Sequence, residues 1–307
     1  MTTLARPTAN RPLTRDRRPI AAVVAVAGGL LLAMLWSFEL VDHVIGDSVA
    51  NSVLGTDAKQ TVIGGSAAGA LFAFVSGFAG TFTACNIAVF GALPDVAGRA
   101  DGSRRGRVAA VLAPLGWLAL GLVSVAAVYG FVAVLIGSRL PQLSTATVGS
   151  GFPVRLVQAS VVFGLIGLAF AALGLAALGL LPDPFANRPT ARLVTLGALV
   201  GGFLVGRPYP LFHKLLEQAV DSHNPFYGAL ALVLQSLGNI LVMVVLALLL
   251  VLGTRGGVQR WLSRPGRAGL LVGVALLVLG AFLVFYWDVR LPAKFGYGWF
   301  PTMPWNA

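Results

Sequence analysis

The stretch 77–86 holds the first candidates for chemistry in this chain. Two glycines, Gly77 and Gly80, stand among hydroxyl, thiol and amide side chains, which belong to Thr81, Thr83, Cys85 and Asn86. Such side chains can hydrogen-bond a small polar solute, and a thiolate can also take part in thiol exchange. Exchange needs a second thiol to resolve the mixed disulfide, and Cys85 is the only cysteine in the sequence. The pattern therefore favours a binding cavity over an internal redox pair.

The second group of candidates lies around two closely spaced prolines at 201–213. Two prolines this close cannot both lie in an undisturbed helix, so the pattern predicts a helix break there. Counted from Leu193, Arg207 lies about 21 Å along a helix, short of the far interface. Because a charge at membrane depth usually faces a cavity, we expect Arg207 to attract an anionic group of a solute. The predicted cavity residues here are Arg207, Tyr209 and His213, and the predicted breaks are Gly77, Gly80, Gly206, Pro208 and Pro210.

A third pair, Gln235 and Asn239, is four residues apart and shares one helix face. These amides either line the same cavity or form hydrogen bonds between helices. The histidines, His43, His213 and His223, lack the spacing of helical metal ligands, and no metal site is predicted. The chain also has no phosphate-binding loop, dinucleotide fingerprint or nucleophile elbow, which disfavours a hydrolase, kinase or dehydrogenase and indicates no particular cofactor.

Composition identifies the elements that must position these residues. Hydrophobic residues make up 57% of the 307-residue chain, charged residues only 11%, and the mean hydropathy is +0.85. Soluble proteins carry about a quarter of their residues as charges. The sequence therefore predicts an all-α polytopic membrane protein whose partner is the lipid bilayer. Seven apolar stretches are long enough to cross it, at 21–40, 61–93, 108–137, 154–181, 193–216, 226–253 and 268–287.

Basic residues fall mainly on one side of these seven crossings. The segment 1–20 and the loops 94–107, 182–192 and 254–267 hold 15 Lys and Arg residues. The positive-inside rule then predicts a cytoplasmic (inner) membrane protein with its N-terminus inside and its C-terminus outside. The net charge of +11 is explained by this orientation, so no nucleic-acid partner is expected. Residues 21–40 are predicted to be an uncleaved anchor helix.

The final segment, 288–307, is rich in aromatic residues and prolines. One interpretation is an aromatic belt that lies at the outer membrane interface. The other is a docking tail for a partner in a membrane complex, or a plug over an outer vestibule.

The breaks at 77–86 and 201–213 lie in the first crossings of two predicted three-helix halves, 61–181 and 193–287, of opposite orientation. Paired interruptions in inverted halves are typical of a site at the membrane midplane. The two stretches are alike in Gly77-Phe78 and Gly202-Phe203.

In these features the chain resembles the transmembrane family of cytochrome c biogenesis and disulfide-reductase proteins (CcdA and DsbD type). The stretch 74–94 resembles the first broken helix of that family, with Thr83-Ala84-Cys85 where the family has Ser/Thr-Pro-Cys. The resemblance implies two inverted three-helix halves with broken first helices, and a pair of cysteines that carries electrons. Here Ala84 replaces the proline, and 206–213 has no cysteine.

Three functions are consistent with this sequence. The first is a small-solute carrier on a disulfide-reductase-like scaffold that has lost the redox dithiol. The second is a non-catalytic accessory or assembly subunit of a membrane electron-transfer or cytochrome maturation complex, docked through the tail. The third is a thiol-redox protein in which Cys85 exchanges with cysteines of a partner. The sequence favours the first, a protein that is not an enzyme.

Overall fold

The protein is an all-α bundle, as the composition predicts. The computed structural model describes residues 17–37, 44, 47–60, 64–79, 104–254, 266–301 and 303–305. Within these ranges strand structure is confined to a two-residue hairpin, in which Thr147–Val148 pairs antiparallel with Phe152–Pro153. The helices are α1 Arg17–Leu35, α2 Asp47–Leu54, α3 Gly65–Ala79, α4 Arg104–Ile136, α5 Val154–Ala177, α6 Pro189–Gly206, α7 Pro210–Asp221, α8 Pro225–Gly253, α9 Arg267–Val284 and α10 Leu291–Lys294.

Six of these helices are long and apolar enough to cross a membrane. They are α1, α4, α5, α6, α8 and α9, and many of their large apolar side chains are exposed, as in a lipid-facing bundle. Of the seventh predicted crossing, 61–93, the structure describes residues 64–79, which contain the shorter apolar helix α3. The predicted residues Gly80, Thr81, Thr83, Cys85 and Asn86 lie outside the described ranges.

The predicted crossing 193–216 is two helices, α6 and α7, and the chain breaks between them as the prolines predict. The boundaries differ, because α6 begins at Pro189 instead of Leu193. Proline is well suited to the first turn of a helix, where its missing N–H would have no partner. Arg207 therefore follows 18 helical residues, about 27 Å, and lies nearer the end of the crossing than the sequence predicts.

The apolar spacing of α7 explains why it turns aside from α6. Leu211, Phe212, Leu215, Leu216 and Ala219 recur on one helical face and are all buried. This face packs against α3, α4 and α8. We refer to the end of the bundle that α7 covers as the α7 end.

The long helices pack in the order α3, α8, α4, α6, α5, α9 and α1. The first two helices in this order, α3 and α8, pack closely where each has a glycine against the backbone of the other. A Cβ atom on Gly77 would lie 1.7 Å from the carbonyl oxygen of Gln235, and one on Gly238 would lie 2.1 Å from that of Phe74. Only glycine permits helix backbones to come this close.

The pair α6 and α4 repeats that contact with the same spacing. A Cβ atom on Gly197 would lie 1.9 Å from the carbonyl oxygen of Leu118, and one on Gly121 would lie 2.0 Å from that of Val194. On every one of the four helices the glycine follows the carbonyl residue by three positions. The same kind of contact therefore occurs twice in the bundle, once between α3 and α8 and once between α6 and α4. Gly77 in the first contact corresponds to Gly197 in the second.

The contact between α5 and α9 is also formed by glycines, and its two helices contribute in the same way. Gly167 of α5 meets Gly280 of α9, and Gly174 of α5 meets Gly273 of α9. The two glycines are seven residues apart on both helices. Exchanging α5 for α9 therefore leaves this pattern of contacts unchanged.

Helix α1 packs chiefly along α9, and Arg290 fixes its end. The chain beyond α9 continues as a π-helical turn, Phe285–Arg290, whose last side chain is 3% exposed. Nη1 of Arg290 donates hydrogen bonds to the carbonyl oxygens of Ala33 at 2.7 Å and Trp36 at 2.8 Å. The buried charge thus meets carbonyls at the negative end of the α1 dipole.

Candidate functional site

Two buried side chains in the contact between α3 and α8 have polar atoms that no described residue satisfies. Ser76 is 1% exposed, and its Oγ has no hydrogen-bond partner among the described residues. Gln235 is also 1% exposed, and neither Oε1 nor Nε2 of its amide bonds to a residue in the described part of the chain. An unsatisfied buried polar group costs about 1–3 kcal/mol, so such groups normally meet water or a ligand. Ser76 and Gln235 are therefore the strongest candidates for a solute-binding centre, which we call the polar centre.

The polar centre lies where α3 and α8 are closest. Gly77 follows Ser76 directly, and its position against the backbone of Gln235 holds the two helices together. Asn239 is one turn further along α8 and is 8% exposed. The place of a Cβ atom on Gly77 is 3.1 Å from the backbone nitrogen of Asn239. Of the predicted cavity residues, Gln235 and Asn239 are thus brought together with Gly77.

Helix α7 lies against the same helices, one turn from the polar centre. Phe72 and Ala73 precede Ser76 by about one turn of α3, and Leu232 precedes Gln235 by about one turn of α8. All three pack in one buried cluster with the apolar face of α7. Helix α7 is therefore placed to cover the polar centre from the α7 end.

Polar side chains donate hydrogen bonds to three carbonyls around the break after Gly206. Nε2 of Gln142 donates to the carbonyl oxygens of Arg207 at 2.8 Å and Leu204 at 3.3 Å. Nε2 of Gln158 donates to that of Val205 at 2.7 Å. The hydroxyl of Tyr129 donates to Oε1 of Gln142. At the break, side-chain amides thus replace the backbone N–H donors that a continuing helix would supply.

The predicted residues Arg207, Tyr209 and His213 gather around this break and α7. The guanidinium carbon of Arg207 lies 5.3 Å from the ring centre of Tyr209, which is a cation–π contact. His213 Nε2 lies 3.1 Å from Oε1 of Glu217, one turn further on. These three residues are distant in sequence from Ser76 and Gln235. Tyr209 belongs to the same buried cluster as the apolar face of α7 and the residues next to the polar centre.

Lys214 fastens α7 to the segment between α2 and α3. Its Nζ donates to the carbonyl oxygens of Ala58 at 3.1 Å and Lys59 at 2.9 Å, and it lies 5.5 Å from the ring centre of Phe72. Burial lowers the pKa of this ammonium below 10.5, while the charge of Asp57 partly opposes the shift. Lys214 thus attaches α7, the helix that covers the polar centre, to Phe72 of α3 and to the segment before it.

The aromatic tail folds back on the protein. Phe295 stacks on Phe152 with ring centres 4.6 Å apart, and the backbone N–H of Ser150 donates to the Tyr297 hydroxyl at 3.2 Å. These contacts fasten the tail to the short hairpin at the α7 end. Trp299 remains 82% exposed, as a residue at a membrane interface or a partner contact would be.

No group of three metal-ligand side chains occurs in the described part of the chain. His213 is paired with Glu217, and Nδ1 of His223 lies 2.7 Å from the Asp221 carbonyl oxygen. His43 lies outside the described ranges.

No family model, curated protein or solved structure matches this chain. The resemblance to the disulfide-reductase family therefore stays a prediction from the sequence.

Proposed function

We propose that this protein is a carrier of a small polar solute in the cytoplasmic membrane, with its N-terminus inside. The observation that supports the proposal most is the polar centre, where Ser76 and Gln235 are buried in a membrane-type bundle without partners among the described residues. A hydroxyl and an amide with both donor and acceptor atoms suit a solute that hydrogen-bonds in both senses. Buried polar groups at membrane depth usually mark such a pathway.

The repeated glycine contact supports an inverted two-half scaffold for this carrier. In contact pattern, α3, α4 and α5 correspond to α6, α8 and α9. The position that matches Gly77 by contact is Gly197, five residues before the Gly202 suggested by local sequence. In carriers of this architecture the solute binds where the two halves meet. The polar centre lies in such a contact, because α3 and α8 belong to different halves.

Helix α7 acts as the cover of the site in this proposal. It lies on the buried cluster next to the polar centre and joins α6 at a break supported by Gln142 and Gln158. A short amphipathic helix beside a break can move as a unit when a site opens. Arg207, at the break, would then meet an anionic part of a solute before it reaches the polar centre.

Cysteine accessibility tests the proposal directly, because the chain has one native cysteine. In a Cys85→Ser background, Ser76→Cys should react with a membrane-impermeant charged methanethiosulfonate added to intact vesicles from at least one side. The expected reason is that a solute path admits water to the polar centre. The measurement is the fraction of thiol blocked, read by a later fluorescent maleimide after solubilisation.

Two matched variants complete the experiment. Ser124→Cys stands on the exposed face of α4, where it should face lipid and stay unlabelled. Ser236→Cys is next to Gln235, but the native hydroxyl is satisfied by the Leu232 carbonyl oxygen at 2.8 Å, so it should label far less than Ser76→Cys. A Ser76→Cys protein that stays unlabelled from both sides, while its thiol reacts after denaturation, contradicts the carrier.

The Cys85→Ser substitution also tests the alternative that this is a thiol-redox protein. If Cys85 exchanges with a partner, Cys85→Ser should abolish a mixed disulfide that can be trapped in native membranes. The carrier proposal expects no such species in the wild-type protein.

A further inference from the structure

The strongest feature outside the polar centre is a pocket at the end of the bundle opposite α7. Its volume is about 170 Å³, well above the space that a single water needs. It lies between the start of α1, the end of α5 and the start of α9. The lining residues are Arg18, Ala176, Ala177, Leu178, Gly179, Gly266, Gly269 and Leu270.

Among the described residues that line this pocket, Arg18 is the only one with a charged side chain. Its Nη1 lies 2.7 Å from the place of a Cβ atom on Gly179, so the guanidinium fills space that only a glycine leaves open. Gly179 has a φ of +72°, which other residues rarely adopt. No hydrogen bond or ion pair connects Arg18 to any described residue. Arg18 thus lines the pocket, and its guanidinium donors have no partner among the described residues.

The negative end of the α5 dipole favours a positive charge at this place, but it does not use the hydrogen-bond donors of Arg18. The last carbonyls of α5 already accept backbone hydrogen bonds, from Leu178 N–H to Gly174 at 3.0 Å, from Gly179 N–H to Ala176 at 2.9 Å and from Leu180 N–H to Leu175 at 2.9 Å. These bonds satisfy the carbonyls of residues 174–176 with backbone groups. The guanidinium makes no hydrogen bond to a carbonyl at this helix end among the described residues, so its donors are available to a ligand.

The surroundings of the pocket indicate which ligand fits. On α1, Ile20, Val23 and Val24 are each more than 60% exposed, and Leu180 and Leu181 are exposed beside the end of α5. Such apolar side chains on a membrane-spanning helix face acyl chains. Arg18 is the second residue of that helix, at the level where lipid headgroups begin. A guanidinium binds a phosphate through two parallel hydrogen bonds.

We propose that this pocket binds an anionic phospholipid, with its phosphate on Arg18 and its acyl chains along α1. Basic pockets between membrane helices are known to hold such headgroups. The lipid would join α1 to α5 and α9 at the end opposite Arg290, which fixes the other end of α1. The inference does not depend on a solute at the polar centre.

Native mass spectrometry of the full chain tests this proposal. The protein is purified in detergent and supplied with equal amounts of phosphatidylglycerol and phosphatidylcholine. We expect one phosphatidylglycerol to be retained preferentially by the wild type. Arg18→Gln should lower the ratio of bound phosphatidylglycerol to phosphatidylcholine by about ten-fold or more, the scale of the charge-assisted hydrogen bonds between a guanidinium and a phosphate.

Arg17→Gln is the matched control, because Arg17 is adjacent, equally charged, exposed and outside the pocket. It should change the ratio by less than about two-fold, since general attraction to the surface is weaker than a bound phosphate. Equal losses in the two variants, or no loss in Arg18→Gln, would overturn the proposal.

A second measurement covers a failure of Arg18→Gln to fold. Phosphatidylglycerol should raise the apparent melting temperature of the wild type more than phosphatidylcholine does, and inorganic phosphate alone should not. If the two lipids raise the melting temperature of the wild type equally, or if inorganic phosphate raises it as much as phosphatidylglycerol does, the pocket is not a site for an anionic phospholipid.

Discussion

The amide of Gln142 donates a hydrogen bond to the carbonyl oxygen of Arg207 at 2.8 Å, across 65 residues of chain. Gln142 lies in the connection between α4 and α5, and Arg207 is the first residue after α6. The connection thus sets how the chain leaves α6 and enters α7. A break that looks local in the sequence depends on a distant side chain.

Loss of this bond gives the first prediction. Gln142→Leu should destabilise the protein by about 1–3 kcal/mol, because the Arg207 carbonyl and the Tyr129 hydroxyl lose their buried partner. The apparent melting temperature in detergent measures the loss. Gln60→Leu, at an exposed position, is the control and should change it little. Equal effects of the two substitutions would show that Gln142 does not support the break.

The glycine contacts give the second prediction. Gly77→Ala and Gly197→Ala should each lower stability by at least about 1–3 kcal/mol, because the new Cβ would overlap a carbonyl oxygen of the facing helix. Similar losses would agree with equivalent roles in the two halves. Gly116→Ala on α4 meets no atom within 4 Å and should be neutral or stabilising, since alanine favours helix. The comparison uses thermal unfolding in one detergent.

Arg290 gives the third prediction. Arg290→Met should destabilise the protein by about 1–3 kcal/mol, because the carbonyls of Ala33 and Trp36 lose their hydrogen-bond donor. The α1 helix should also become more sensitive to added protease. Arg155→Met, an exposed arginine on α5, should leave both properties near the wild type. An Arg290→Met protein as stable as Arg155→Met would rule out Arg290 as the anchor of α1.

The fourth prediction concerns pH. Burial lowers the pKa of Lys214 in the folded protein below 10.5, so the unfolded chain keeps this proton to higher pH. Stability should therefore rise as pH increases from the lowered pKa to 10.5. Lys214→Met removes the titration and Lys214→Arg keeps the charge throughout, so both should lack that rise. Melting temperatures measured across this range in all three proteins check the difference, and an equal rise in each would assign it to other groups.

Hydrophobic patterns predicted the fold well because each crossing leaves its own signal in the chain. The break after Gly206 was also predicted, since prolines act locally. The start of α6 at Pro189 was missed, because a proline between loop residues gives no apolar signal. Helix α7 was joined to α6 because Leu211 to Leu216 continue the apolar run, and only tertiary packing separates them.

The candidate site was predicted less completely. Gln235 was identified as a polar residue within a crossing, and the structure places it at the closest point of α3 and α8. Ser76 and Gln142 were missed, because a serine beside a glycine and a glutamine in a loop are ordinary in sequence. Their roles come from partners far along the chain. Arg207 and Gln235 were assigned to one cavity, and that assignment stays a prediction: Arg207 lies at the break and Gln235 in the contact between α3 and α8.

The packing of α1 on α9 has a consequence for biogenesis. Helix α1 leaves the ribosome before the other described crossings, whereas its principal neighbour α9 is the last of them. The bond from Arg290 to Ala33 spans 257 residues. During synthesis α1 must therefore wait in the bilayer, or with an insertion factor, until the carboxyl end is made. Chains interrupted before α9 should expose an undocked first helix, which makes them natural targets for membrane quality control.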